Sequence, residues 1–166
     1  GRVDLSRAAF SQATDELVGT VYFDDRKRNY WRDKGFEGDF LFLKKRFAQQ
    51  QVGLADMSGD DGRWLVLISG DTDPGTYYLF DRASRAVLLF GSLRPDLPKE
   101  KLAPMMPVRY ASSDGLEIPG YLTLPYGKEA KNLPLLVMPH GGPWARDYWG
   151  FNGTAQFFAN RGLAVL

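Results

Sequence analysis

Four prolines fall within the fifteen residues Leu93–Pro107, LRPDLPKEKLAPMMP. A segment this rich in proline lacks the backbone donors for a helix or a central strand, so it reads as a linker. It divides the 166 residues into two parts of different texture. Residues 1–93 are mostly β in character and residues 107–166 carry an α/β pattern, with 94–106 between them.

In the first part, Glu16–Asp25 (ELVGTVYFDD) is dense in β-branched and aromatic residues and closes on a charged turn. Arg63–Gly70 (RWLVLISG) is a continuous apolar run of the length of a buried strand. Gly75–Phe90 holds two apolar runs around RASR, a hairpin signal, and SGDDG and SGDTDPG supply turn chemistry on either side. One helix interrupts the strands. Phe36, Phe40, Leu43 and Phe47 share a helical face, with Glu37 and Asp39 early and Lys44–Arg46 late, as the helix dipole favours. Thr20, Tyr22, Asp25 and Arg26 recur as Thr76, Tyr78, Asp81 and Arg82 at a constant offset of 56. An aromatic strand closed by Asp-Arg and followed by a second strand suits a propeller blade, and a meander or sandwich accommodates it as well.

In the second part, VRYASSDGLEIPGYLTLP predicts a hairpin around Ser113-Asp114-Gly115. Leu133–Pro139 (LPLLVMP) reads as a short strand buried on both faces of a parallel sheet. Asn152–Gly162 reads as a helix with an Asn cap and a Gly stop, and LAVL opens another strand. Hairpin, strand, loop, helix, strand is the opening of an α/β sheet.

Between that strand and that helix lies VMPHGGPWARD, with the single histidine of the chain. A loop after a parallel strand stands at the carboxyl end of the sheet, where α/β proteins place their sites. Gly141 and Gly142 permit unusual backbone angles and close approach of a substrate. Their N–H groups could point together at the oxygen of a tetrahedral intermediate, where one lost donor costs on the order of 3 kcal/mol of barrier. Pro143 has no N–H and stiffens the loop. His140 adjoins these donors, which suits orienting the loop better than acting as a base. A plain tight turn is the competing reading. Trp144, Arg146 and Tyr148 are candidates for a substrate cleft, and the alternative for them and for Asp147 and Trp149 is to hold the loop in place.

These residues carry a resemblance. PLLVMPHGGPWARDYWGFNGTAQFFANRGLAVL resembles the start of the catalytic domain of the prolyl oligopeptidase family of serine peptidases, in the branch of acylaminoacyl and dipeptidyl peptidases that carries HGGP. VRYASSDGLEIPGYLTLP resembles the strands leading into that domain. The resemblance implies the last blades of a β-propeller over 1–93 and the N-terminal part of an α/β-hydrolase domain over 107–166. It implies a peptide substrate, acyl transfer through a seryl intermediate, and His140, Gly141, Gly142 and Pro143 as the oxyanion loop. The family's Ser–Asp–His triad has no place here: no serine has the G-x-S-x-G setting, and no second histidine exists. The triad is expected after Leu166, in a longer protein, with the rest of the catalytic domain as partner. The chain by itself is then expected to be inactive. A non-catalytic peptide-binding module and a piece of an esterase of the same fold are the alternatives.

Charge and composition narrow the rest. A formal charge of +1 gives no field for nucleic acid, and the short runs Arg26–Arg28 and Lys44–Arg46 read as solvated faces. With no cysteine and one histidine, neither a disulfide framework nor a zinc site is expected, and no cofactor is implied. No apolar run reaches membrane-spanning length and no targeting segment is visible, which leaves cytoplasm and periplasm open, and a homo-oligomer also. The opening GRVD and the final GLAVL suggest a piece cut from a longer chain.

Overall fold

The computed structural model describes residues 3–142 and 144–166. They form two compact units: residues through Gly70 with Gly75–Pro95, and Asp71–Pro74 with Asp96–Leu166.

In the first unit, β1 (Leu5–Phe10), β2 (Leu17–Phe23) and β3 (Lys27–Trp31) form a three-stranded antiparallel sheet in that order. A helix, α1 (Lys34–Arg46), then leads to a four-stranded antiparallel meander of β4 (Gln51–Met57), β5 (Arg63–Ser69), β6 (Thr76–Asp81) and β7 (Val87–Ser92). The meander has the form of a propeller blade. The offset of 56 now has a structural meaning: β2 lies between β1 and β3 as β6 lies between β5 and β7. The first sheet thus matches the last three strands of the second.

Helix α1 begins where Asp33 accepts the Phe36 N–H at 2.8 Å, and it turns Phe36, Phe40 and Leu43 into the core. Phe47 is its C-cap, and its ring packs 5.0 Å from that of Tyr78. Strand β5 supplies the centre of the core. Trp64, Val66 and Ile68 are fully buried while Leu65 and Leu67 are half-covered, so the continuous apolar run folds with one face dominant rather than both. Each such buried side chain contributes on the order of 2–3 kcal/mol. Trp31 stacks on Trp64 at 6.5 Å and carries the first sheet onto the second.

Asp39 departs from its expected place. Instead of an exposed charge serving the helix dipole, it is buried with both oxygens paired, to Arg82 Nε at 2.5 Å and to Arg85 at 2.6 Å. Arg82 also donates to the Asp61 carbonyl at 3.2 Å, and the Asp61 carboxylate accepts from the Ser11 hydroxyl and the Gln12 N–H. Three turns and a helix meet in this network.

In the second unit, β8 (Met105–Ala111) and β9 (Glu117–Thr123) form the expected hairpin. Gly115 takes φ +84° at its turn, and the Asp114 carboxylate accepts the Leu116 N–H. Strand β8 begins inside the proline-rich stretch. Pro107 is accommodated because β8 is at a sheet edge, where a missing N–H costs least. Next come β10 (Leu135–Leu136), helix α2 (Gly153–Ala159) and β11 (Ala164–Val165). The sheet order is β8-β9-β11-β10, with β10 and β11 parallel and the other pairs antiparallel. Strand β10 is not buried on both faces as expected: Leu135 and Val137 are more than half exposed, because β10 is the other edge of this sheet.

Candidate oxyanion loop

The parallel pair fixes where the glycine loop starts. Ala164 N–H bonds to the Pro134 carbonyl, Leu166 N–H to Leu136, and Met138 N–H to Leu166, at 2.7–2.9 Å. Met138 is therefore the last ladder residue, and Pro139 releases the chain at the carboxyl end of β10. At the other end of the loop, the Asn152 side chain accepts the Thr154 and Ala155 N–H groups, both at 3.0 Å, and starts α2.

Between these anchors, His140, Gly141 and Gly142 are exposed and outside regular structure. Gly142 has φ +71°, a left-handed conformation that disfavours any side chain, and no atom stands within 4 Å of where a Cβ would be. The backbone of the loop is thus open to an approaching group. Pro143 lies outside the described residues. Among the described residues the His140 side chain makes no hydrogen bond.

Trp144 is 97% exposed and Tyr148 is 52% exposed. The Arg146 guanidinium lies over the Tyr148 ring at 5.3 Å, and its Nε donates to the Asp147 backbone carbonyl at 3.3 Å. Trp149 behaves differently from these neighbours. It is buried, and its indole N–H donates to the Met105 carbonyl at 2.7 Å. It fastens the end of the loop to β8.

Two further residues hold the loop's frame and had no signal in the sequence. The Gln156 side chain, on α2, accepts the Ala103 N–H at 2.8 Å and donates to the Ala103 carbonyl at 2.7 Å and to the Asp71 carbonyl at 3.2 Å. Asp71 in turn accepts the Met105 N–H at 2.8 Å. These bonds span 34 to 85 positions of sequence, beyond the reach of any local pattern.

The chain is 42% identical to Dipeptidyl aminopeptidase BIII of Pseudoxanthomonas mexicana, over 99% of its own length and 25% of that protein's. Over this span the chain resembles the dipeptidyl-peptidase branch of the prolyl oligopeptidase family, as its sequence motifs imply. It is 29% identical to Dipeptidyl peptidase family member 6 of Caenorhabditis elegans over 79% of the chain and 20% of that protein. Among solved structures, dipeptidyl peptidase 4 of Porphyromonas gingivalis superposes with a TM-score of 0.62 at 14% identity, over 99% of the chain and 24% of that structure. The fold of the chain is accordingly propeller strands followed by the N-terminal part of an α/β-hydrolase domain. No protein-family model matches the chain. The chain spans about a quarter of the length of the curated relatives it matches.

Proposed function

We propose that this chain is the section of a serine peptidase in which the propeller ends and the catalytic domain begins, and that its glycine loop supplies one oxyanion donor. One observation carries the reading. In α/β hydrolases one donor comes from the loop between the third strand and the first helix, the other from the residue after the nucleophile. Here β8, β9 and β10 are the first three strands of the mixed sheet, and the loop from β10 to α2 is His140–Gly141–Gly142 with its open backbone.

In this reading a backbone N–H of Gly141 or Gly142 binds the oxygen of the tetrahedral intermediate as the seryl ester forms. The serine, its histidine base and the aspartate come from sequence outside these residues. The substrate is an oligopeptide, cut internally or after an N-terminal dipeptide or acylated residue, with Trp144, Arg146 and Tyr148 at the edge of its cleft. The domain division at 1–93, 94–106 and 107–166 is part of the same proposal.

The test is a Gly141→Pro exchange in the natural gene product. It deletes one N–H and adds little bulk where the structure is open. If Gly141 is the donor, kcat on a dipeptidyl or acylaminoacyl amide falls by about 10²–10³ with KM nearly unchanged. A Gly142→Ala exchange keeps the N–H but places a side chain on a φ of +71°, which shifts the second donor and lowers kcat if Gly142 supplies it. Full kcat in both variants contradicts the proposal.

A further inference from the structure

A recess of about 20 Å³ opens in the first unit among Lys27, Asn29, Phe40, Lys44, Gln51 and Val52. Its polar lining consists of two ammonium groups and two carboxamides, and no lining residue is acidic. The Gln51 amide nitrogen is buried with no hydrogen-bond partner among the described residues. Native proteins rarely leave such a donor unmade, because its desolvation is not recovered. Lys27 stands beside Gly53, its Nζ 3.4 Å from where a Cβ on that glycine would be, so the bare backbone makes room for it. Burial, and secondarily the nearby Arg7 guanidinium, hold the Lys27 ammonium below the ordinary lysine range. A half-buried cation with a like charge beside it and an unpaired N–H donor lining the same recess lacks one thing, a negative charge.

We propose that this recess binds a single anionic group, a carboxylate or a halide ion, between Lys27 and Gln51. A water molecule fits the space but satisfies the lining poorly, since it brings two donors of its own to a site already rich in donors. An anion accepts from both sides and offsets the cationic charge. At about 20 Å³ the space suits a halide or the tip of a carboxylate better than a bulky oxyanion. Lys44, at the end of α1, adds a second positive charge at the rim. The inference concerns a site in the β-rich unit and does not depend on the peptidase reading.

The natural gene product crystallised from sodium bromide separates the two sources. A bromine anomalous peak in the recess identifies an exchangeable ion, and a carboxylate oxygen from another part of the protein within hydrogen-bonding distance of Lys27 identifies a built-in partner. Either result supports the site. A recess holding only water at both wavelengths overturns it. In solution, an exchangeable ion makes chloride raise the unfolding midpoint above methanesulfonate at equal ionic strength, and Lys27→Met abolishes that difference. Gln51→Leu, which keeps the charge and removes the donor, reduces it and serves where Lys27→Met does not fold. A chloride effect unchanged in both variants places the ion elsewhere and overturns the assignment.

Discussion

Replacing Asp39 with alanine removes the carboxylate that pairs with both Arg82 and Arg85 inside the first unit. The cost follows from exposure. Arg82 is 22% exposed and loses a 2.5 Å charged bond, which carries about 1.5–3 kcal/mol. Arg85 is 45% exposed, so its 2.6 Å pair adds at most about 1 kcal/mol. The stranded Arg82 charge adds a penalty, reduced because it keeps the Asp61 carbonyl and lies over the Phe36 and Trp64 rings at 4.5 and 5.1 Å. The total is about 2–4 kcal/mol, at or below the range for breaking a fully buried pair. Because the chain has two units, native-state hydrogen exchange at the β5 amides is a better readout than one global transition. Protection there falls by about 30- to 1000-fold. In a double-mutant cycle with Arg82→Met, the coupling energy is at least about 1.5 kcal/mol. Protection within about threefold of wild type, or coupling near zero, refutes the claim that Asp39 works as a buried charge partner.

The loop frame yields other predictions. Gln156→Leu leaves the buried Ala103 N–H and carbonyl without partners and destabilises the second unit by about 2–5 kcal/mol, read from exchange at β8 and β9. Trp149→Phe keeps most of the apolar contact but loses the bond to Met105, costing about 1–2 kcal/mol. In the natural gene product Trp149→Phe lowers kcat more than it raises KM, measured on an amide substrate. The Asp114 carboxyl is held below the ordinary aspartate range by the Ser112 hydroxyl first and the Leu116 N–H second. Its contribution to stability is therefore present above the unfolded aspartate pKa and lost as pH falls through the lower folded value. Ser112→Ala moves the Asp114 titration, followed by carboxyl NMR, back toward the ordinary range.

Much of the fold is legible because its signals are local. The Phe36–Phe47 periodicity, the Asn152 cap and the Asp114-Gly115 turn each lie within about a dozen residues, and each is found where the pattern puts it. What the pattern misses depends on distant partners. Asp39 at the start of a helix looks like a dipole charge until the turn after β6 brings two arginines to it. LPLLVMP has the composition of a strand covered on both sides, but which strand is an edge is decided by order in the sheet. Trp149 looks like its exposed aromatic neighbours, and only the approach of β8 separates it from them. The glycine loop was visible as a motif because backbone chemistry is written in glycine and proline. Strands β1 and β3, short and interspersed with charged or polar residues, gave little contrast against turns.

The most direct test of the peptidase reading is labelling with a fluorophosphonate, which reacts with an activated serine. The natural gene product is labelled and the modified peptide is mapped. The account predicts one labelled serine, outside residues 1–166 and within a G-x-S-x-G sequence, and no labelling of the 166-residue chain alone. A labelled serine inside this chain, or a natural product with none, contradicts it.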